Sequence, residues 1–398
     1  MEIKVINTLK DISKSEWDSI IDKNNVQMSY GYLKTIEESS IGDYKYFYIV
    51  IYNLDEVIAT LPIFLTNSFC LDTPLVGKLK EKSEIIRKYF PCFLHQRVLF
   101  CGCGIAEYND INVKEGIDKS EVTRLILQEV NDISRKEKVK FTIYKDFLRV
   151  SNETHKQLII DDYFEVYSLP TTCLEISWES FDEYLVCLKK KYRHNIKNKI
   201  NASCKCGNIE YEVVEDFSHL TEELHRLYEN TYKKAHVKFE KLDKNFIANL
   251  NNNMGSSTSV ILAKLEGRIV GFMLLVNSEE SCINVRMGLD YECAYDFQLY
   301  YMLLYQNIIY AISNKKKKLY LSQTTYRPKL EIGAELVALK GYVKHRNPLL
   351  NKIFKFLFSK LFKKYEILAK SDNPHEDMKT LFPQYFSGVN SNNDKKSA

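Results

Sequence analysis

Residues 260–289 alternate between apolar runs and short polar breaks in a pattern that predicts three consecutive strands. The run VILAKL is separated from the run IVGFMLLV by Glu266 and Gly267, and a glycine that tolerates positive φ is typical of a tight hairpin turn. A second polar break at 278–280 returns the chain into the run SCINVRMGL. The pattern therefore predicts a hairpin followed by a third strand.

The residues after this third strand predict a long apolar helix and a further strand. Apolar side chains occur almost all round the stretch LYYMLLYQNIIYAI, and Asp296 precedes it at a position where a carboxylate can cap a helix. Residues 319–321 follow as a strand. The order is strand, strand, strand, helix, strand.

The first half of the chain repeats this order without appreciable residue identity. Residues 46–51 and 57–63 predict a hairpin, and residues 97–100 predict the next strand. A helix capped by Ser120 and a strand at 141–144 complete the series.

A repeated order of this kind predicts two domains of one fold, although a chance recurrence of a common α/β order is the alternative. We expect a mixed α/β (α+β) protein in which each domain has a mixed, mainly antiparallel sheet flanked by helices. The predicted domains are residues 1–165 and 166–370, and residues 371–398 read as a polar, frayed tail.

A strongly basic helix is predicted before the second hairpin. Tyr184, Leu188, Tyr192, Ile196 and Ile200 recur every four residues and share one helix face, while most positions between them are Lys, Arg, His or Asn. A solvated lysine-rich face is one interpretation, and contact with a phosphate-bearing donor or a tRNA backbone is the functional one.

The composition describes a compact globular protein. Hydrophobic residues make up 45% of the 398 residues, with 14 Gly and 8 Pro, which argues against a fibrous, linker-rich or disordered chain. The 56 Lys and Arg against 52 Asp and Glu give a net charge of +4, so any basic surface must be local. Without a signal-peptide pattern or a run of about 18 apolar residues, we expect a cytoplasmic protein.

Sequence motifs for metal or nucleotide chemistry are missing. The ten cysteines include the C-x-C pairs 101/103 and 204/206 but no C-x2-C pair, so ordinary reduced thiols are favoured over a metal site. No G-x-S-x-G elbow, Walker loop, H-E-x-x-H or dinucleotide fingerprint occurs. Catalysis must therefore come from residues that the fold brings together.

Four stretches between residues 178 and 346 resemble, in the same succession, the GNAT acyltransferase superfamily and specifically its double-domain FemAB-like (peptidoglycan-bridge type) branch. They are LKKKYRHNIK, similar to the basic K-x-R-x-x-I-K helix of the branch; LYENTYKK, similar to its Y-x-x-T-x-x-K helix; the hairpin EGRIVGFMLLV; and QTTYRPKLEIG, similar to its closing K-x-x-x-G segment. The first half supports the resemblance through its element order alone.

The resemblance implies transfer of an acyl group to an amine, with neither a metal nor a permanently bound cofactor. The co-substrate would be an acyl-CoA, an acyl carrier protein or an aminoacyl-tRNA. In such folds the donor lies where two neighbouring strands splay apart, and its phosphates meet the N-terminus of the following helix. Here that segment, 289–299, has no glycine-rich phosphate loop, which favours a carrier other than CoA.

Direct acyl transfer requires a neutral amine, donors for the developing oxyanion and an acid for the leaving group. We assign Tyr326 as proton donor or orienting group and Lys329 as an anion contact, because both follow the strand 319–321 where ligand crevices form in α/β sheets; a surface helix start is the alternative. Arg286 would contact the donor or a substrate carboxylate, unless it faces solvent.

Six more residues are candidates for holding the donor. Three lie on the basic helix, two before the apolar helix and one after the last strand: Lys190, Arg193, Lys197, Asp296, Gln298 and Gln323. Tyr300, on the nearly all-apolar helix, is assigned to the core instead.

Residues 349–368 carry apolar positions at helical spacing interleaved with lysines. This cationic amphipathic pattern is consistent with peripheral membrane contact or a lipid-linked acceptor, and packing against the second domain is the alternative.

The main functional prediction is an N-acyltransferase that uses a thioester donor and an amine acceptor. One alternative is an aminoacyl-tRNA-dependent, peptide-bond-forming transferase of the FemAB type, although no charged heptads are present for the coiled-coil arm of some such proteins. Another is a non-catalytic binding module for a carrier or a cell-envelope partner.

Overall fold

The structure is a computed structural model that describes residues 1–72, 78–148, 150–235 and 240–383. Its strands are β1 (Glu2–Ile6), β2 (Lys45–Asn53), β3 (Glu56–Cys70), β4 (His95–Cys101), β5 (Asn112–Val113), β6 (Phe141–Phe147), β7 (Phe164–Tyr167), β8 (Thr171–Glu175), β9 (Glu210–Val214), β10 (Thr258–Leu265), β11 (Arg268–Asn277), β12 (Ser281–Leu289), β13 (Lys318–Tyr320), β14 (Glu335–Val337) and β15 (Lys340–His345).

The helices are α1 (Lys14–Asp18), α2 (Tyr30–Glu38), α3 (Lys78–Tyr89), α4 (Lys119–Lys136), α5 (Asn152–Ile160), α6 (Phe181–Cys187), α7 (Lys190–Cys206), α8 (Thr221–Lys234), α9 (Asn245–Met254), α10 (Leu299–Ser313), α11 (Tyr326–Glu331), α12 (Pro348–Leu361), α13 (Lys363–Ala369) and α14 (Pro374–Leu381). Within the described ranges, none of them is long and apolar enough to cross a membrane.

Two mixed sheets organise these elements. The first has the strand order β1-β2-β3-β4-β6-β15-β7, with β5 beside β3, and the second has the order β14-β8-β13-β12-β11-β10-β9. In each path one pair is parallel, β4 with β6 and β12 with β13, and the other neighbours are antiparallel. The predicted fold class, with its repeated order of hairpin, strand, helix and strand, is confirmed.

The second half of the chain adds one strand, β15, to the first sheet, whereas every strand of the second sheet comes from residues 171–337. The chain leaves β7 of the first sheet at Tyr167 and enters the second sheet as β8, between β13 and β14. It later leaves β14 and returns to the first sheet as β15, between β6 and β7. Helices α12 and α13 then pack beside β15 and β7, which places this C-terminal segment with the first sheet.

The residues on either side of Pro170, and likewise those within 335–345, form two strands that lie in different sheets. A proline cannot donate to a sheet ladder, and Pro170 lies in the connection between β7 and β8. The sheet that each strand joins depends on pairing between distant segments, which the local pattern of apolar residues does not predict.

Three helix boundaries also differ from the predictions. Asp118, rather than Ser120, caps α4, because its carboxylate accepts hydrogen bonds from the backbone N–H groups of Ser120 and Glu121. Asp296 does not cap α10, whose N-cap residue is Gln298 in a left-handed conformation. The stretch 349–368 is divided at Phe362 into α12 and α13.

The predicted basic helix is also divided, because Leu188 adopts an extended conformation between α6 and α7. Tyr184 therefore lies on a different helix from Ile196, although both side chains are buried in the same core. The predicted tail from residue 371 contains the helix α14, whose Met378 is fully buried. Residues 384–398 lie outside the described part of the chain.

One hydrophobic core joins the two domains. It contains Trp17 and Tyr32 from the first domain and Phe246 and Phe272 from the second, all essentially without solvent exposure. Helix α2 packs closely on α9: a Cβ atom added to Gly31 would lie 2.6 Å from the carbonyl oxygen of Asn253. The relative position of the domains is therefore set by close packing.

Candidate functional site

Strands β12 and β13 separate at the centre of the second sheet. They pair only over Ser281–Ile283 and Lys318–Tyr320, after which β13 ends and β12 continues to Leu289. A β-bulge lies beside this opening, because Leu274 pairs with Arg286 and Leu275 pairs with Asn284, leaving one extra residue in β12. The fold thus opens an edge of backbone where a ligand can approach.

The corresponding opening in the first sheet is filled by the chain itself. Beyond the paired residues of β4 and β6, Asn109 forms a bridge with Phe147, and its amide nitrogen donates to the carbonyl oxygen of Lys145 at 2.8 Å. Its Oδ1 accepts a hydrogen bond from the backbone N–H of Cys103. The two domains are therefore not equivalent, and the open position belongs to the second sheet.

A cleft of about 240 Å³ lies at this opening, between the two domains. We call it the interdomain cleft. Its lining residues are Gly104, Ile105, Ala106, Glu107 and Lys145 from the first domain and Tyr228, Thr231, Tyr232, Ala235, Glu240, Asn284, Val285, Arg286, Met287, Tyr300, Leu321, Ser322, Gln323, Thr324, Thr325 and Lys329 from the second.

Lys329 is the buried cation of this cleft. Only 4% of the residue is exposed, and its Nζ donates to the carbonyl oxygens of Ser322 at 2.8 Å and Gln323 at 2.9 Å. Burial lowers the pKa of Lys329 to about 7, although the negative charge of Glu107 opposes this shift. Near neutral pH this side chain can therefore both hold and release a proton.

Glu107 faces Lys329 from the first domain. One carboxylate oxygen accepts from the backbone N–H of Gln323 at 3.2 Å, and the other accepts from the hydroxyl of Thr171 at 2.9 Å. Burial raises the pKa of Glu107, and the hydrogen bond from Gln323 and the charge of Lys329 oppose the rise. This carboxylate thus connects the two domains at the cleft.

The loop after β13 is held in a strained conformation. Ser322, Thr324 and Thr325 have φ angles of 63°, 60° and 46°, a left-handed region that costs residues with a side chain about 1–3 kcal/mol each. The carbonyl oxygen of Ser322 accepts from both Lys329 and Thr172, and its hydroxyl donates to the Asn284 carbonyl. Lys329 therefore helps to fix the loop that borders the cleft.

A second charged group lies where the first domain meets the cleft. Lys145 pairs with Asp146 and also donates to the carbonyl oxygen of Ala106 at 3.3 Å. Burial would lower the pKa of Lys145, but the carboxylates of Asp146 and Glu240 outweigh it and raise the pKa. Lys145 is thus a protonated ammonium, in contrast to Lys329.

Helix α8 forms one wall of the cleft through the Y-x-x-T-x-x-K stretch. The hydroxyl of Thr231 accepts from the backbone N–H of Leu289, and Lys234 lies 4.3 Å from the ring centroid of Tyr291. The close approach requires a glycine in β12, because a Cβ atom on Gly288 would lie 2.7 Å from the backbone of Tyr228. This stretch therefore attaches α8 to β12 and to the turns that follow.

In the turns between β12 and α10, several backbone N–H groups that could otherwise bind a phosphate are hydrogen-bonded within the protein. The N–H groups of Cys293 and Ala294 donate to Asp290, that of Phe297 donates to Cys293, and that of Leu299 donates to Ala294. A pyrophosphate cradle requires such groups to point at the ligand. The absence of a glycine-rich loop in the sequence is thus matched by the local hydrogen bonding.

An unsatisfied acceptor lies on the open stretch of β12. Asn284 is 9% exposed and lines the cleft, and its Oδ1 is buried without a hydrogen-bond partner among the described residues. Unpaired buried acceptors are uncommon because each one costs about 1–3 kcal/mol. An N–H group of a bound molecule would satisfy it.

Of the predicted catalytic residues, the structure brings Arg286 and Lys329 to the cleft. Arg286 donates to the carbonyl oxygen of Val285 at 2.7 Å, in the bulge, and is partly buried rather than directed to open solvent. Tyr326 is fully buried outside the lining, and its hydroxyl donates to the carbonyl oxygen of Pro170 at 2.7 Å. Tyr326 therefore contacts the segment that connects the two sheets.

Of the predicted donor-binding residues, only Gln323 lines the cleft. Lys190 and Lys197 are exposed on α7, and Arg193 donates to the carbonyl oxygen of Val186. Asp296 and Gln298 lie in the turns before α10 and do not reach the lining. Tyr300, assigned to the core from its apolar helix, lines the cleft instead.

The sequence pattern did not single out Glu107 or Lys145. Glu107 follows β4 as Lys329 follows β13, so the rule that ligand crevices border strand ends applies to both. Lys145 is a charged residue within a strand, the same signal that identified Arg286. Only the contact between the two domains shows that these residues share one cleft.

Other site types find no support in the described ranges. No cluster of three or more His, Cys, Asp or Glu side chains in them could hold a metal ion, and none of the ten cysteines forms a disulfide. Burial raises the pKa of Cys103 to about 11, which disfavours the nucleophilic thiolate.

Two mixed sheets with matching parallel pairs, joined at a cleft with a buried lysine, form a two-domain fold of the GNAT type. The chain belongs to the FemAB-like family, described as a family of peptidoglycan biosynthesis/recognition, whose profile matches residues 8–321.

Individual relatives are distant. The chain is 24% identical over 332 residues to the putative 8-amino-7-oxononanoate synthase 2 of Mycobacterium tuberculosis; the match covers 80% of this chain and 42% of that protein, so the chain spans less than half of it. The crystal structure of FemX matches with a TM-score of 0.57 at 12% identity, covering 89% of this chain and 100% of that one. A conserved protein of unknown function from Bacteroides thetaiotaomicron VPI-5482 matches with a TM-score of 0.51 at 13% identity, covering 85% and 99%.

Proposed function

We propose that the protein is an N-acyltransferase that moves an acyl group from a thioester, on CoA or an acyl carrier protein, to an amine in the interdomain cleft. The observation that carries the proposal is Lys329, a buried amine with a pKa of about 7 at the point where β12 and β13 separate. General acid–base groups work best when their pKa lies near the operating pH.

The reaction needs one proton to move from nitrogen to sulfur. The acceptor nitrogen attacks the thioester carbon, the C–N bond forms, the C–S bond breaks, and the proton lost by the nitrogen ends on the released thiol. The neutral amine of Lys329 has two N–H bonds, which its two carbonyl partners occupy, and the remaining position on Nζ carries either a lone pair or a third proton. That position can take the proton from the attacking amine and return it to the sulfur.

Other cleft residues have supporting roles in this proposal. Arg286 and Lys145 supply positive charge for the oxyanion or for a substrate carboxylate. The Oδ1 of Asn284 accepts an N–H of the attacking amine or of the donor arm. Glu107 holds Gln323 and keeps negative charge beside Lys329, and Tyr326 has no chemical step because its hydroxyl is held by Pro170.

An aminoacyl-tRNA donor is the second candidate, and it is favoured by the internally bonded turns before α10, which offer little to a CoA pyrophosphate. The exposed Lys190 and Lys197 of α7 would meet the tRNA backbone. Binding of tRNA that falls steeply with salt, with a smaller slope when both lysines are replaced by alanine, would support this candidate.

Peripheral membrane contact through residues 349–368 is a further part of the proposal. The outer face of α12 exposes Leu349, Ile353 and Phe356 by 73%, 53% and 59%, and lysines adjoin them. Such a face suits an anionic lipid surface. It would place the protein beside a lipid-linked acceptor.

The test compares Lys329→Met with Lys136→Met, an exposed lysine on α4. Free thiol release is measured for acyl-CoA and acyl carrier protein thioesters against a panel of amines, guided by mass spectrometry of molecules that copurify with the protein. We expect Lys329→Met to lower kcat by about 100-fold or more, the usual contribution of a general acid–base group, and Lys136→Met to leave it unchanged.

Lys329→Arg is the second variant, because arginine keeps the positive charge but does not release its proton near pH 7. It should be nearly as inactive as Lys329→Met. Full activity of both variants would refute the role of Lys329, while transfer from aminoacyl-tRNA and from no thioester would favour the second candidate.

A further inference from the structure

An apolar cavity of about 440 Å³ lies between the first sheet and the C-terminal helices. We call it the sheet cavity. Its walls include Phe64, Phe100, Ile143, Val166, Val343 and Phe358, and the rings of Phe64 and Phe100 stack at 4.9 Å. Its size falls within the range of roughly 300–1,000 Å³ that small-molecule sites occupy.

The sheet cavity adjoins the interdomain cleft. Lys145, Glu240 and Gln323 line both spaces, so the two meet at these three side chains. Gln323 also accepts a hydrogen bond from Lys329 through its carbonyl oxygen. A molecule that reacts beside Lys329 would pass Gln323 to reach the sheet cavity.

The polar groups of the sheet cavity are already paired with protein atoms. Asp43, at one side, accepts hydrogen bonds from the hydroxyl of Thr66 and the N–H of Asn67. Asp146 pairs with Lys145 and accepts from Ser168 at 2.7 Å. The remaining wall is largely aromatic and aliphatic, which suits a hydrocarbon chain and offers little to a sugar or a peptide.

We propose that the sheet cavity binds the acyl chain of the donor, which is therefore a long-chain thioester; this inference rests on the proposed thioester-dependent function. In the turns before α10 the N–H groups of Cys293, Ala294, Phe297 and Leu299 are bonded to backbone carbonyls, so the donor is held chiefly by its tail. The chain passes Gln323, and the thioester carbon lies beside Lys329, while the pantetheine arm occupies the opening between β12 and β13.

The test measures kcat/KM for acetyl, octanoyl, dodecanoyl and hexadecanoyl thioesters, each on CoA and on pantetheine without phosphates. We expect kcat/KM to rise by about fourfold per methylene until the cavity is full, which is the roughly 0.8 kcal/mol gained by burying one CH₂. Dodecanoyl-pantetheine should retain at least a tenth of the value for dodecanoyl-CoA.

Two cavity variants and one control make the result specific. Val166→Phe should fill the cavity and shift the preferred chain to a shorter length, and Phe358→Ala should enlarge it and shift the preference to a longer one. Val213→Phe, on the exposed edge strand β9, is the matched control and should keep the wild-type profile. Circular dichroism melting curves show whether each variant is folded.

Displacement of cis-parinaric acid by laurate separates this inference from the function on which it rests. Laurate displacement that Val166→Phe weakens, with no transfer from any thioester, would overturn the proposed function and leave the chain-binding site standing. Transfer with the same chain-length profile in all variants, or a dependence on the chain of the acceptor instead of the donor, would overturn the inference about the cavity.

Discussion

At the residue scale, the burial of Lys329 has a consequence for stability as well as for chemistry. Its two hydrogen bonds go to backbone carbonyls of a strained loop, so the neutral amine satisfies them without the cost of a buried charge. Glu107 opposes the loss of the proton and keeps the pKa near 7 instead of lower. The Nζ of Lys329 therefore both fixes the loop after β13 and carries the proton that would be exchanged.

We expect the stability difference between the wild type and Lys329→Met to depend on pH. The pKa of Lys329 is about 7 when folded and about 10.4 when unfolded, so between these values the unfolded chain binds more protons. The free energy of unfolding of the wild type should then rise with pH across this window, by up to about 1.4 kcal/mol per pH unit relative to the variant. Below about pH 7 the difference should level off.

Urea unfolding at pH 6, 7, 8 and 9 measures this dependence. Lys136→Met, which removes an exposed lysine, should follow the wild type at every pH. If the difference in the free energy of unfolding between the wild type and Lys329→Met stays constant from pH 7 to 9, Lys329 is charged in the folded protein and cannot exchange its proton as proposed.

At the scale of elements, α12 has two apolar faces with different environments. Phe354 and Phe358 pack inward against Phe141 and Phe164 of the first sheet, as their ring contacts of 4.9 and 5.7 Å show. Ile353 and Phe356 remain on the outer face. Packing against the first sheet therefore accounts for the apolar residues on the inner face of α12, while those on the outer face remain available for another contact.

We expect Phe356→Glu to weaken binding to vesicles that contain an anionic lipid. The substitution places a negative charge on the face that would insert between headgroups, and it leaves the inner face unchanged. Flotation with vesicles of phosphatidylglycerol and phosphatidylcholine measures the effect, and Ile160→Glu, which alters an exposed residue of α5, is the control. If the wild-type protein does not float with these vesicles, membrane contact through α12 is excluded.

At the scale of the whole molecule, the return of β15 and the C-terminal helices to the first sheet makes that sheet depend on residues from the second half of the chain. The cleft is lined from both domains, and Glu107 of one accepts a hydrogen bond from Gln323 in the loop that Lys329 fixes in the other. A shared core of buried aromatic side chains supports the same arrangement. Folding of the two domains should therefore be coupled.

We expect Gly31→Ala to destabilise the entire protein in a single unfolding transition. The added methyl group would meet the backbone oxygen of Asn253 at 2.6 Å and the sulfur of Met254 at 2.8 Å, and overpacking of this kind costs about 1–3 kcal/mol. Differential scanning calorimetry should show one transition at a lower Tm. Asn252→Ala, at an exposed position of α9, should leave the Tm almost unchanged.

Two separate calorimetric transitions, of which only one moves in Gly31→Ala, would contradict this coupling. Such a result would mean that β15 and the shared core do not transmit the stability of one domain to the other. The chain-length experiments on the sheet cavity would then have to treat the first domain as an independent folding unit.

Local pattern determined the elements of this protein. The alternation at 260–289 and the apolar helix after it are properties of consecutive residues, so the hairpin, the third strand and α10 follow from the sequence. The position of Lys329 after a strand was equally readable, because side chains that follow strand ends border crevices. Family resemblance was carried by the same short stretches.

Only the tertiary structure decided how the elements combine. The division at Pro170, the return of β15 to the first sheet and the pairing of Glu107 with the loop of Lys329 depend on contacts between segments far apart in the chain. The sheet cavity likewise arises where α12 covers the first sheet. The periodicity of apolar residues shows which face of an element is apolar but not which other element packs against that face. The sequence alone could therefore predict the fold but not the cleft.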